Sequence, residues 1–263
     1  MCITHILKLP RQLSRPEESA VPLLHDILPR IFRQVMKLQV IQESIRPFLE
    51  ALKSKNGQLH AYKYDMLENF SSAWTFDTDD FAGMYDRSLQ STVTRRWWKR
   101  DNYRPKEAML LFIGLREEYV RQAFKELFKE SRSIETRIDS FVYYCDELLR
   151  MYKHEFPKSI ENNHNHDGMI ISLYLAARYP DRYSLYPGRR IFNKALSALH
   201  ARQGDTDDLP RFFKVCNTLY KLLEKDPDFV AVTKEGLRPE GHLLFVHEFL
   251  FFLAGAWNEN TPA

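Results

Sequence analysis

The chain has 263 residues, of which 44% are hydrophobic, 28% charged and 13% aromatic, with only 9 Gly and 13 Pro. This excludes a wholly disordered, collagen-like or linker-dominated chain and suffices for one large core or two smaller ones. Thirty-eight basic against thirty-five acidic side chains leave a net charge of +3, so any affinity for polyanions has to come from local patches.

The N-terminal run MCITHILKLPRQ lacks the longer apolar stretch and the small-residue cleavage site of a signal peptide. The three cysteines, Cys2, Cys145 and Cys216, form no CxxC pair and read as reduced thiols. Both features predict a cytoplasmic protein. A helix is expected over Ile31 to Lys53. The stretch from Lys53 to Arg104 is the least regular, with Trp74, Phe76, Phe81 and Tyr85 as apolar anchors and a weak alternation at His60 to Tyr64. Ala108 to Ile113 is a short apolar run before Gly114 that fits a helix or a strand equally. Arg116 to Lys129 is expected to be helical.

Helical spacing then becomes clear. Ile134, Ile138, Phe141, Cys145, Leu148 and Tyr152 recur every three or four positions and share one face. Met169 to Arg178 follows. Ile191, Phe192, Ala195, Leu196 and Leu199 make another stripe that stops near Gly204. Leu209, Phe212, Phe213, Cys216, Leu219, Tyr220 and Leu223 form the strongest one, preceded by Asp207 and Asp208 as caps, with Pro210 in the first turn and Pro227 closing it. The last helix, His242 to Ala254, lies in an apolar stretch broken by His247 and Glu248 and shorter than the ~20 residues of a membrane span; it reads as buried and in need of a cover. The fold class is mainly α: an irregular N-terminal region (1–104), a multi-helix bundle (105–256) and a polar linker or tail (257–263).

Catalytic signatures are missing from the sequence. No Gly precedes a Lys, so no GxxxxGK[ST] phosphate loop exists, and GxGxxG, GxSxG and HExxH are absent as well. Pro227-Asp228 opens an acidic nuclease-like pattern, but Val232-Thr233 stand where the second carboxylate before Lys234 is needed. Neither catalytic residues nor a cofactor is expected. His154, His164, His166 and Asp167 form the one set with metal-ligand chemistry; Asn162 to Asp167 reads more simply as a polar turn that caps the following helix.

Two segments combine cations with rings. Arg95, Arg96, Trp97, Trp98, Lys99 and Arg100 continue through Tyr103, Arg104 and Lys106. Arg178, Arg182, Tyr183, Tyr186, Arg189 and Arg190 lie in a proline-stiffened connection between helices. Guanidinium and ammonium groups neutralise phosphates while rings stack on bases, so both segments are candidates for nucleic-acid binding. The same rings serve equally as core anchors beneath a basic rim.

From Arg121 to Asp226 the chain resembles the pre-motor region of McrB-like AAA+ proteins, the NTP-driven subunits of modification-dependent restriction systems. The likeness is carried by Val120 to Phe128, Arg137 to Phe141, Asn163-His164 and Ile171 to Leu175. Its most distinctive part is Arg178-Tyr179-Pro180-Asp181-Arg182-Tyr183-Ser184-Leu185-Tyr186, similar to the family's YLxxRYPDKYYLYK run. Pro187 departs from the family's Lys there, and Pro187-Gly188 predicts a sharper turn. The family's motor lies C-terminal to this region, and its Walker motifs are absent here. The resemblance thus implies a non-catalytic module that recognises DNA, or that docks an AAA+ motor, a nuclease subunit or a copy of itself; from the short last apolar stretch, no membrane partner is expected.

Overall fold

The computed structural model describes residues 24–54, 62–90, 103–159, 162–236 and 242–257. Contacts divide the chain into two units, Met1–Met36 and Lys37–Ala263, and the described core belongs entirely to the second. Ten helices are described: α1 (Leu24–Lys53, whose first part belongs to the first unit), α2 (Tyr62–Ala73), α3 (Phe81–Ser88), α4 (Pro105–Leu127), α5 (Ile134–Glu155), α6 (Gly168–Arg178), α7 (Arg189–Ala198), α8 (Leu209–Leu223), α9 (Pro227–Gly236) and α10 (His242–Leu253). The described residues contain no strand, so the fold is mainly α, as the periodicities predict.

Ala108–Ile113 resolves as helix. It joins the expected Arg116 to Lys129 segment in one long helix, α4, which bends at Arg116 (φ −150°, ψ 68°). Gly114, two residues earlier, has no atom within 4 Å of where a Cβ would stand, so packing does not require glycine there. A short loop reverses the chain into α5, whose N-terminus is capped by the Ser133 hydroxyl accepting from the Thr136 N–H. The predicted stripe of α5 points inward, with Phe141, Cys145 and Leu148 fully buried.

The region expected to be irregular contains α2 and α3. Met66, Leu67, Phe70 and Trp74 of α2 and its C-terminal edge are buried, as are Phe81, Met84 and Tyr85 of α3, while Phe76 is half-buried. Asp80 caps α3 by accepting from the Gly83 N–H at 2.8 Å. Its carboxylate lies so close that a Cβ on residue 83 would stand 2.0 Å from Oδ2, so a larger residue there would displace the capping side chain. The loop between α2 and α3 is fastened by the buried Arg121 of α4, whose guanidinium donates to the Phe76 carbonyl at 2.6 Å and the Thr78 carbonyl at 3.2 Å and lies over the Phe81 ring.

Trp74 stacks on Phe70 and meets Phe124 edge-on at 5.0 Å, and the Tyr85 hydroxyl is 2.7 Å from that of Tyr174 in α6. Described residues on both sides of position 104 therefore share one core, which runs from Ile41 to Leu250. Trp257, expected in the tail, packs its ring against Phe48 and Phe252. Pro227 opens a further helix, α9, rather than only ending α8.

Two helices are buried almost all round, as central elements are. All residues from Ile170 to Ala177 of α6 are buried, and so are all from Leu243 to Phe251 of α10. In α10 this includes the two polar interruptions. The His247 Nδ1–H donates to the Leu185 carbonyl at 2.7 Å, and Glu248 forms an ion pair with the equally buried Lys63 of α2. No helix among the described residues is long and apolar enough to cross a membrane.

Desolvated charges need each other: losing one partner leaves the other uncompensated, whereas replacing both by apolar side chains is nearly neutral. Lys63→Met alone is expected to cost about 3–5 kcal/mol of unfolding free energy in urea titrations, and Lys63→Met with Glu248→Leu to recover most of it.

Candidate functional site

An open groove of ≈ 250 Å³ lies between the C-terminal half of α1, α7 and α8. Its wall is built by Ile41, Leu196, Leu199, Val215, Leu219 and Leu222, with Arg211 and Lys214 also lining it and no acidic residue among the lining side chains. The origin of the groove is the stripe of α8. The 3–4 spacing that buries Phe212, Cys216, Leu219 and Leu223 leaves the next positions round the helix, Val215 and Leu222, only half covered. Asp208 caps the helix by accepting from the Arg211 N–H, and Pro210 sits in its first turn. Arg211 donates to the Arg202 carbonyl, a neutral partner that leaves its charge in place. Lys214 is 79% exposed, with Glu135 4.0 Å away. The stripe is legible in the sequence, but a side chain half covered at its edge cannot be distinguished from a buried one by spacing.

The second basic-aromatic segment does not present its rings. Tyr183 and Tyr186 are buried, a correction to their expected role as stacking faces. The Tyr183 hydroxyl accepts from Arg137 Nη1 at 2.8 Å and donates to the Glu130 carboxylate at 2.9 Å. The Tyr186 hydroxyl donates to Asp207 at 2.8 Å, and burial pushes both phenol pKa values up. Each ring thus fills the core while its polar tip finds a partner, which is how buried tyrosines are satisfied. The flanking cations are exposed: Arg178, Arg182, Arg189 and Arg190. Arg178 lies 5.7 Å from the Tyr179 ring centroid, Arg182 pairs with Glu130 at 2.8 Å, and Arg189 donates to the Asp205 carbonyl. Gly188 has φ +82°, the left-handed turn that glycine adopts at little cost and that Pro187-Gly188 predicts.

Of the first segment, Arg95, Arg96, Trp97, Trp98, Lys99 and Arg100 lie outside the described residues. Its described end is engaged within the fold, with the Tyr103 hydroxyl donating to Asp167 at 2.9 Å and Lys106 paired to Asp86 at 2.9 Å. An exposed ring cluster occurs elsewhere, unforeseen in the sequence. Tyr143 of α5 is 60% exposed, next to Tyr144, which in turn meets Tyr119 of α4 at 4.8 Å. Tyr143 and Tyr144 fall outside the buried stripe of α5, and that offset is the available signal.

The histidine set is rearranged. His154 is exposed in the last turn of α5, and Asp167 caps α6 through the Met169 and Ile170 N–H groups. Neither stands with the remaining two in a shared cluster; the structure brings His164 and His166 together with Cys145 instead. The His166 Nδ1 is 2.6 Å from the His164 carbonyl, 3.2 Å separates His166 Nε2 from the Tyr174 hydroxyl, and the His164 Nε2 lies 3.2 Å from Asp146. A carbonyl only accepts, so His166 carries its proton on Nδ1 and keeps a lone pair on Nε2. Burial first, and His164 second, push its pKa down to about 3, so the ring is neutral near pH 7.

Compared with protein-family models, curated proteins and solved structures, the chain matches none.

If Tyr183 is an internal strut, its carboxylate partner is structural too. Glu130→Ala leaves the buried Arg137 charge without its acid and is expected to cost about 3 kcal/mol in thermal or urea unfolding. A nearly neutral change would show that Glu130 does not hold the Arg137 guanidinium.

Proposed function

We propose that the chain is a non-catalytic docking module whose groove between α1, α7 and α8 receives one amphipathic helix from a partner protein. The observation that carries this reading is the groove itself: an apolar trough left open on the surface, with Arg211 and Lys214 lining it and no acid in it. A helix lays its apolar face into such a trough through anchors at i, i+3/i+4 and i+7. The cations select a helix with Asp or Glu along one edge, because opposite charge at the rim raises the association rate and rejects basic competitors. The likeness to McrB-like pre-motor regions supplies the kind of partner, an AAA+ motor or a nuclease subunit of a restriction system.

Val215 and Leu222 are half-buried, so each can be replaced by Glu without opening the core. In pull-down and calorimetric titration, Val215→Glu and Leu222→Glu are each expected to weaken capture of the motor or nuclease subunit at least tenfold. Lys214→Glu with Arg211→Glu should slow association most strongly at low salt. Unchanged affinity in both groove variants overturns the reading.

A second reading, recognition of nucleic acid, is favoured by one specific observation: the exposed Tyr143 beside Tyr144 and Tyr119. With Tyr183 and Tyr186 internal, stacking falls to Tyr143 with Trp97 and Trp98, and phosphate contacts to the exposed Arg178, Arg182, Arg189 and Arg190 together with Arg95, Arg96, Lys99 and Arg100. Base–aromatic stacking is worth about 1–3 kcal/mol per base. On this reading single-stranded DNA binds at low salt, affinity falls linearly on a log–log plot against salt, and Tyr143→Ala weakens it at least fivefold. Absence of binding at low salt removes this reading and leaves docking intact.

A further inference from the structure

We infer that Cys145, His164 and His166 form a binding site for one divalent transition-metal cation of the zinc class. One ligand atom from each residue lies within 4.8 Å of the other two, so all three converge on a common volume. The set arises from two separate elements. Cys145 projects from the buried stripe of α5, while His164 and His166 come from the loop before α6. That loop is held in one shape: Asn165 adopts φ +58°, its N–H donates to the Asn163 side chain at 2.7 Å, and Asp167 fixes the loop's exit by capping α6.

The surroundings follow the pattern by which proteins orient metal-binding imidazoles. A ligating histidine donates its other ring N–H to a carbonyl or a carboxylate, which sets the tautomer and the direction of the lone pair. His166 Nδ1 has the His164 carbonyl as its partner, leaving Nε2 for the cation. His164 has a carboxylate, Asp146, at 3.2 Å from its Nε2 and the His166 N–H at 2.9 Å from its Nδ1; the cation takes the place of one of these two partners. His166 Nε2 likewise exchanges its contact with the Tyr174 hydroxyl for the metal.

Donor chemistry selects the metal. One thiolate and two imidazoles suit zinc, cobalt and their neighbours, whereas magnesium and calcium demand oxygen ligands. Three protein ligands leave one position of a tetrahedron for a fourth donor; the Tyr174 hydroxyl stands 3.2 Å from His166 Nε2 and 2.7 Å from the Tyr85 hydroxyl. Both Cys145 and His166 are buried, with 0% and 2% exposure, so the site resembles a structural clamp between α5, the 162–167 loop and α6. On binding, the Cys145 S–H bond breaks, a sulfur–metal bond forms, and the proton leaves to solvent; no oxidation state changes.

The test uses the full chain, purified without an affinity tag, dialysed against a chelator and then titrated with cobalt(II). The expected result is uptake of one equivalent, with a thiolate-to-cobalt charge-transfer band in the near ultraviolet and the strong visible bands of tetrahedral cobalt, both erased by zinc. Cys145→Ser should abolish the charge-transfer band, whereas Cys2→Ser with Cys216→Ser should retain it. His166→Gln should weaken binding tenfold or more. Circular dichroism confirms folding of each variant. If Cys145→Ser fails to fold, the wild-type titration still decides. No charge-transfer band in wild type, or a band that survives in folded Cys145→Ser, overturns the proposal and leaves a purely hydrogen-bonded cluster.

Discussion

A single buried guanidinium holds the second half of the molecule in register. Arg137 of α5 is 2% exposed, and a cation in that position requires an acid and several acceptors. Its Nε donates to the Leu127 carbonyl at 2.7 Å, its Nη1 meets Glu130 at 2.5 Å, and the same Nη1 reaches the Tyr183 hydroxyl. One side chain thereby ties the end of α4, the α4–α5 turn and the connection leaving α6. The rest of that connection is secured in the same manner. Tyr179 donates to the Phe128 carbonyl, Ser184 to the Leu243 carbonyl, and the Tyr186 N–H to the Ser172 hydroxyl. Arg137 Nη2 is buried without a hydrogen-bond partner, a cost carried by the other contacts of the group.

This arrangement explains why the most distinctive run of the sequence, Arg178 to Tyr186, is ambiguous when read alone. Arginine and tyrosine serve equally to grip a nucleic acid and to brace a core, because each combines a broad apolar body with a polar end. Composition registers both residues but not the side of the chain on which they emerge. The deciding partners, Glu130 and Arg137, lie more than forty positions upstream and belong to other elements. The alternation of exposed Arg182 with buried Tyr183 becomes meaningful only once Glu130 is seen to bind both.

The helices themselves are far more legible. Stripes of five to seven apolar residues mark α5, α7 and α8, and the caps Asp208 and Asp167 fall where Asp precedes a helix. The failures have definite causes. In α2 the 3–4 spacing of Met66, Phe70 and Trp74 is present, but Lys63 occupies an inward position where an apolar residue is expected, and its partner Glu248 is 185 positions away. Helix α3 spans eight residues, too few for a period to emerge. The Cys145–His164–His166 cluster joins residues from a helix and a loop, with no fixed short spacing to read. His164 and His166 are visible as a pair; the cysteine can be found only by knowing which face of α5 turns toward that loop.

The burial of α10 leaves its apolar face with no need of an outside cover. An apolar helix near the end of the sequence suggests a surface awaiting a cover, yet Leu243 to Phe251 are covered from within by α2, α7, α8 and the Tyr183–Tyr186 connection. The apolar surface left open lies instead along the edge of α8, where Val215 and Leu222 remain half-covered because α1 and α7 do not close over them. Burial of α10 and openness of the groove have a common origin, since α8 commits its strongest stripe to the core and only the edge of that stripe reaches the surface. A partner helix seated there would complete the packing around α8 without disturbing Arg137 or the histidine loop. The proposed docking surface and the proposed metal clamp are thus separable: one stands on side chains that the fold leaves uncovered, the other on side chains that it encloses.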